Sequence, residues 1–228
     1  MRDISIGPHG RFAYAAGMTG RLIKICGLST PETVDVAIAA GATHIGLVHF
    51  EPSPRHIDLA TAARLRAQAR GKAKVALLTV NAEVELMSAA LDAVMPDIVQ
   101  LHGSETPEWA GLLRGRMGVE VWKALGVKDA PTLEKSRRYE GSVDRLLFDA
   151  PAKALPGGNG EIFDWELLAD FEHGIPWGLA GGLTAGNVAG AIAATGAELV
   201  DTSSGVETAP GVKDAAKIAA FCAAARGE

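Results

Sequence analysis

Residues 22–50 read LIKICGLSTPETVDVAIAAGATHIGLVHF. Two short apolar runs, at 22–26 and 44–50, lie on either side of a segment with Pro31 in its first turn and Gly41 at its end, the usual punctuation of a helix. The runs are nearly continuous in apolar residues, which is typical of parallel strands covered by helices rather than of half-exposed strands. The stretch therefore predicts a strand, a helix and a second strand parallel to the first.

Comparable apolar runs recur along the whole chain, and each is followed by a turn and a helical pattern. The last predicted helix covers residues 212–227. The eight runs occupy residues 22–26, 44–50, 74–80, 97–102, 120–125, 145–150, 177–181 and 198–202. Eight such units predict an α/β fold of one domain, a (β/α)8 TIM barrel over residues 21–228, with residues 1–20 as an N-terminal extension. The alternative is an open doubly wound sheet, which normally uses fewer strands at this length, and its dinucleotide-binding glycine motif is absent after the first run.

Composition narrows the class of protein further. Hydrophobic residues make up 48% of the chain, enough for a sizeable core. The formal net charge is −5 and no run of basic residues appears, so we expect neither a nucleic acid nor a membrane as partner. The two cysteines, Cys26 and Cys222, lie far apart in the chain, which predicts free thiols and a cytoplasmic location. No histidine, cysteine or carboxylate motif has the spacing of metal ligands, so no metal is expected.

In a barrel of this kind, functional residues cluster at the carboxyl ends of the strands and in the loops that follow. The loops after the seventh and eighth runs are rich in small residues: Gly181, Gly182, Ser203, Ser204 and Gly205. Glycine allows a ligand to approach the backbone closely, and serine adds a hydroxyl donor, so the two loops together predict a phosphate site. The alternative is that these glycines only form turns.

Two further strand ends carry reactive groups. Cys26 ends the first run, with Lys24 on the same face, and a nearby ammonium group would lower the pKa of a thiol. Cys26 is therefore a candidate base or nucleophile, although a thiol that only packs in the core fits the same pattern. Asp149 ends the sixth run as a candidate general acid, a helix cap or a salt-bridge partner. His49 and His102 also end strands and could each transfer protons, although a lone histidine without a partner motif is more often structural or a ligand contact.

Several stretches together resemble the phosphoribosylanthranilate isomerase family. They are KICG (24–27), SPRHI (53–57), VQLHG (99–103), FDA (148–150), GGNGEIFDW (157–165), LAGGLTAGNV (179–188) and VDTSSGVETAPGVKD (200–214). The matching stretches are collinear and span nearly the whole predicted barrel. His49 in VHF and Asn159 in GGNG depart from the usual pattern of the family.

The resemblance implies an isomerase of tryptophan biosynthesis that catalyses an Amadori rearrangement of N-(5-phosphoribosyl)anthranilate without a cofactor. It implies Cys26 as the base, Asp149 as the acid and Arg55 as a contact of the anthranilate end. Asp201 would lie near the ribose hydroxyls, and the loops that carry Gly181, Gly182, Ser203, Ser204 and Gly205 would hold the phosphate. The partner is then a small phosphosugar–anthranilate, and a monomer or a homodimer is expected.

Other barrel enzymes that act on phosphosugars fit the sequence less well. A dual-substrate aminoaldose isomerase has an aspartate where this chain has Cys26. Indole-glycerol-phosphate synthase needs a lysine and glutamate set, and ribulose-phosphate epimerase needs metal ligands, that we cannot place here. A binding module without activity is the alternative outside the enzymes, and the presence of both Cys26 and Asp149 argues against it.

Overall fold

Eight parallel strands form a closed barrel in the computed structural model, which describes residues 20–151, 163–169 and 171–228. Each strand pairs with the next one in the chain, and the first pairs with the eighth. The strands are β1 (Leu22–Cys26), β2 (His44–Val48), β3 (Lys74–Thr79), β4 (Ile98–Leu101), β5 (Glu120–Gly126), β6 (Arg145–Asp149), β7 (Trp177–Leu179) and β8 (Leu199–Thr202). The predicted fold class is confirmed, and each predicted apolar run coincides with one strand, of which only β5 extends one residue beyond its run.

Eight helices of the described residues lie between and after the strands. They are α1 (Pro31–Ala39), α2 (Leu59–Ala69), α3 (Val84–Val94), α4 (Pro107–Arg116), α5 (Ala130–Glu134), α6 (Glu166–Ala169), α7 (Val188–Thr195) and α8 (Ala215–Arg226). Helix α1 begins as the sequence predicts: Thr30 caps it, accepting a hydrogen bond from the amide of Thr33. Nowhere in the described ranges is a helix both long and apolar enough to cross a bilayer.

The alternation of side chains along each strand separates two cores. Outward-facing residues such as Ile25 and Leu47 join the helices in one large apolar cluster. Inward-facing residues such as Trp122 and Leu147 fill the lower part of the barrel. A small cluster of Cys26, Val48 and Leu78 lies nearest the carboxyl ends of the strands. The thiol of Cys26 therefore belongs to the inner face, above a filled barrel floor.

One element after β8 differs from the prediction. Residues 204–206 form a 3-10 turn, and an antiparallel hairpin follows, made of β9 (Glu207–Ala209) and β10 (Val212–Lys213). The predicted helix over residues 212–227 was wrong at its start, because its first residues pair within this hairpin. Helix α8 begins after Asp214, whose side chain caps it by accepting from the amide of Lys217.

The predicted extension, residues 1–20, lies outside the described residues except for Gly20. So does most of the glycine-rich loop after β6, residues 152–162. The predictions that fall on these two segments stay predictions.

A methyl group at Gly46 would break the packing of the barrel interior. A Cβ there would lie 2.6 Å from the sulfur of Cys26 and 3.1 Å from the ammonium nitrogen of Lys24. We expect Gly46→Ala to lower the free energy of unfolding by about 1–3 kcal/mol, the usual cost of overpacking. Urea unfolding followed by circular dichroism measures this change in the free energy of unfolding.

The matched control is Gly115→Ala in α4, where no atom lies within 4 Å of the new Cβ. Alanine should stabilise the helix there by about 0.5–1 kcal/mol. Equal midpoints for Gly46→Ala and the unmodified chain would contradict this packing.

Candidate active site

A single cavity at the carboxyl ends of the strands brings together the residues that the family resemblance predicts for the site. Its lining includes Cys26, Arg55, Asp149, Gly181, Gly182, Asp201, Ser203, Ser204 and Gly205. These residues come from five different strands or the loops after them, and parallel strands in a closed ring all direct their carboxyl ends to one face. The structure thus places the predicted residues in one site, while their individual roles stay predictions.

A buried ion pair lies next to Cys26, on the side of the cavity that carries the thiol. The ammonium nitrogen of Lys24 lies 3.0 Å from a carboxylate oxygen of Asp201, inside the barrel. The charge of Lys24 also favours the thiolate form of Cys26, two residues further along the same strand face. Burial works to lower the pKa of Lys24, but the charge of Asp201 and that of Cys26 outweigh burial and raise it, so Lys24 stays charged.

Burial has a larger effect on Cys26 than the sequence suggested. The expectation was that Lys24 lowers the pKa of the thiol. In the structure, burial raises the pKa of Cys26, and the charge of Lys24 offsets only part of that increase. The thiolate therefore depends on Lys24, but Cys26 is not a thiol of low pKa.

The carboxyl side of the cavity is held by two contacts. One oxygen of Asp149 accepts a hydrogen bond of 2.8 Å from the amide of Ala150, and the other lies 3.3 Å from Nε2 of His102. Gly181, in the left-handed region at φ 84°, packs directly against this group. A Cβ at Gly181 would lie 2.5 Å from the amide nitrogen of Ala150 and 3.1 Å from Asp149, so only glycine fits there.

The loops after β7 and β8 touch each other, as a shared phosphate site requires. The hydroxyl of Thr202 donates to the carbonyl of Leu183 at 2.7 Å, and a Cβ at Gly205 would collide with that same carbonyl. Within the described parts of the chain, the backbone amides of Gly182, Ser204 and Gly205 have no hydrogen-bond acceptor. Such amides at the cavity wall suit an anion.

Ser203 has a contact that the sequence did not predict. Its hydroxyl donates a hydrogen bond of 3.0 Å to the carbonyl oxygen of Cys26. In this structure the hydroxyl therefore connects β8 to the end of β1.

Arg55, in the loop after β2, is paired with a residue that the sequence analysis missed. Its Nε and Nη2 donate to the two carboxylate oxygens of Glu207 at 2.8 and 2.7 Å. Lys213 donates to the same carboxylate at 2.7 Å. Glu207 and Lys213 both belong to the unpredicted hairpin, so no strand pattern marked them as residues of the site.

The two histidines at strand ends differ in position. His102 lines the cavity beside Gln100, whereas Nδ1 of His49 lies 3.0 Å from the carbonyl oxygen of Ile57 and its side chain does not line the cavity. The sequence already marked the position of His102, because this residue directly follows the apolar strand β4 at its carboxyl end.

The fold and the site define a (β/α)8-barrel enzyme with a thiol and a carboxyl group at the mouth of the barrel. The model of the N-(5'-phosphoribosyl)anthranilate isomerase family matches residues 23–224. The chain belongs to this family and is an isomerase.

Individual relatives agree with the family match. The N-(5'-phosphoribosyl)anthranilate isomerase of Erythrobacter litoralis is 65% identical over 205 residues, which cover 90% of this chain and 98% of that protein. The crystal structure of phosphoribosyl anthranilate isomerase from Thermotoga maritima is similar with a TM-score of 0.84 at 32% identity, covering 91% of this chain and all of that one. A second similar structure is a phosphoribosyl anthranilate isomerase in complex with reduced 1-(o-carboxyphenylamino)-1-deoxyribulose 5-phosphate, with a TM-score of 0.79 at 30% identity, covering 91% of this chain and 100% of that one.

Removal of the Lys24 charge should make the thiol harder to ionise. Because the ammonium stabilises the thiolate, we expect Lys24→Met to raise the pKa of Cys26 further, so that the pH midpoint of iodoacetamide alkylation moves upward. The measurement uses a Cys222→Ala background so that one thiol reports. Exposed Lys72, at the other end of the barrel, supplies the control Lys72→Met, which should leave the midpoint unchanged.

Lys24→Met leaves the carboxylate of Asp201 buried without its partner, which can destabilise the fold. The double variant Lys24→Met/Asp201→Asn removes both charges, and its reference is Asp201→Asn alone, because the charge of Asp201 by itself raises the pKa of Cys26. Equal alkylation midpoints in the double variant and in Asp201→Asn would show that Lys24 does not control the thiol.

Proposed function

We propose that Cys26 and Asp149 are the base and the acid of the family's reaction in this chain. The reaction is the Amadori rearrangement of N-(5-phosphoribosyl)anthranilate to 1-(2-carboxyphenylamino)-1-deoxyribulose 5-phosphate. The observation that carries the proposal is that a thiol and a carboxyl group, far apart in the chain, line one cavity together with both glycine-containing loops.

Asp149 acts first in this proposal. Its carboxyl group donates a proton to the ring oxygen of the furanose, the bond between that oxygen and C1′ breaks, and the bond's electron pair stays on the oxygen. The lone pair of the anthranilate nitrogen forms the C1′=N bond of a protonated Schiff base. The carboxylate left behind accepts hydrogen bonds from the amide of Ala150 and from His102, when Nε2 of that ring carries hydrogen.

Cys26 acts second, as a thiolate. It removes the proton from C2′, the electrons of that C–H bond form the C1′=C2′ double bond, and the electrons of the C=N bond move to nitrogen. The enolamine then tautomerises to the ketone. Because the imine takes up the electrons, the proposal needs no cofactor. Lys24 beside the sulfur stabilises the thiolate that this step uses.

The remaining residues bind the substrate in this proposal. The loops with Gly181, Gly182, Ser203, Ser204 and Gly205 hold the phosphate, supported by their contact with each other and by the amides that have no acceptor among the described residues. Asp201 lines the same cavity and in this proposal contacts the ribose hydroxyls. Arg55 binds the carboxylate of the anthranilate end, for which a guanidinium is suited.

Two further expectations belong to the proposal. We infer a cytoplasmic location, which fits the two free thiols Cys26 and Cys222. A monomer or a homodimer stays our expectation for the assembly.

Loss of either reacting group should abolish most of the activity. We expect Cys26→Ala and Asp149→Asn each to lower kcat by about 10²–10⁴-fold, the usual contribution of a general acid or base. The loss of anthranilate fluorescence with freshly made phosphoribosylanthranilate measures turnover. Matched controls are Cys222→Ala and the exposed Asp92→Asn, which should keep normal kcat. Near-normal turnover in either site variant, with the fold verified by circular dichroism, would refute the role assigned to that residue.

A further inference from the structure

The hairpin of β9 and β10 packs against the loop that carries Arg55. Gly211, at the turn of the hairpin with φ 83°, touches Pro54, so that a Cβ at this position would collide with the Pro54 carbonyl. On the other side of Arg55 lies Gly27, where a Cβ would come within 2.6 Å of Cδ of the arginine. The arginine side chain is therefore enclosed between the end of β1 and the hairpin.

Glu207 fixes the direction of the guanidinium. Its buried carboxylate accepts two parallel hydrogen bonds from Nε and Nη2 of Arg55, a geometry that sets the plane of the guanidinium as well as its position. Burial works to raise the pKa of Glu207, but the bonds from Arg55 and Lys213 outweigh burial and lower it, so the carboxylate is ionised.

Lys213 fixes Glu207 in turn and links this group to the thiol side of the cavity. Besides its 2.7 Å bond to Glu207, its ammonium donates to the carbonyl and the hydroxyl of Ser203 at 2.9 and 3.2 Å. The hydroxyl of Ser203 donates to the carbonyl oxygen of Cys26. A continuous set of polar contacts therefore runs from Arg55 to the backbone of the residue that carries the thiol.

We propose that Glu207 and Lys213 are positioning residues that hold Arg55 for the carboxylate on the aryl ring of the substrate. The inference rests on the proposed function, in which Arg55 binds that end of the ligand. A guanidinium already held in one orientation loses less conformational entropy when it binds a carboxylate, so the hairpin contributes to affinity and to selection of a carboxylated aryl group. Neither residue touches the reacting atoms in this proposal.

Two ligands that differ by one group test the proposal. The first is reduced 1-(o-carboxyphenylamino)-1-deoxyribulose 5-phosphate, and the second is the same compound without its carboxyl group. Titration calorimetry gives the affinity of each for the unmodified chain and for Glu207→Gln. We expect Glu207→Gln to weaken binding of the carboxylated ligand by about 10-fold or more, equivalent to ~1.4 kcal/mol, and to leave the other ligand nearly unchanged. Exposed Glu85 in α3 provides the control Glu85→Gln, which should change neither affinity.

A positioning role also predicts non-additivity. In an Arg55→Ala background, Glu207→Gln should have almost no further effect on the carboxylated ligand, because the group it positions is gone. In turnover assays KM should rise more than kcat falls. If Glu207→Gln does not fold, Glu207→Asp keeps the charge but shortens its reach, and it should show a smaller loss confined to the carboxylated ligand.

The outcomes separate this inference from the proposed function. The positioning role would be overturned if Glu207→Gln weakened the binding of both ligands equally. It would also be overturned if Glu207→Gln had its full effect on affinity in the Arg55→Ala background. The assignment of Arg55 to the substrate carboxylate would stand in either case. Equal losses for both ligands in Arg55→Ala would overturn the assignment of Arg55 and this inference with it. The assays of Cys26 and Asp149 would still decide the acid–base proposal independently.

Discussion

Hydrogen bonding between β1 and β8 is the constraint on which the site depends. In an open sheet with the same strand order, the first and last strands would lie at opposite edges. Closure instead places Lys24 opposite Asp201 in the register of the two strands, and their side chains meet inside the barrel at 3.0 Å. It also brings Ser203 against the end of β1, where its hydroxyl reaches the carbonyl oxygen of Cys26. The thiol therefore acquires its neighbours from the opposite end of the chain.

Burial of this ion pair beneath the thiol has two opposing effects. A charge in a water-excluded interior acts more strongly on its neighbours than the same charge at the surface, so Lys24 has a large influence on Cys26. The same exclusion of water penalises the thiolate and raises the pKa of Cys26. Asp201 keeps the ammonium charged, and without that carboxylate burial would favour the neutral amine. The three groups therefore form one electrostatic unit in which removal of any member changes the others.

The sequence predicts the barrel and the position of the site because both follow from a repeated pattern. Each strand is a continuous apolar run, and the residue that ends each run must lie at the mouth. The hairpin after β8 could not be predicted, because strands of two and three residues show no periodicity. The pairing of Arg55 with Glu207 joins positions 152 residues apart through that hairpin. The net direction of the Cys26 pKa shift depends on the depth of burial, which spacing along a strand does not reveal.

Glycine sets the position of the reacting groups by leaving room for them. Gly46 faces the sulfur of Cys26, and Gly181 faces the carboxyl group of Asp149, at distances where a Cβ would displace either group. The two glycines are constrained differently. Gly181 also needs a positive φ of 84°, so its loop could not keep its path with an L side chain, whereas no positive φ is found at Gly46. At Gly46 space alone is limiting, because its backbone conformation is one that other residues adopt. A substitution at Gly46 thus acts on the thiol and its lysine directly, while one at Gly181 acts first on the backbone and only through it on the acid.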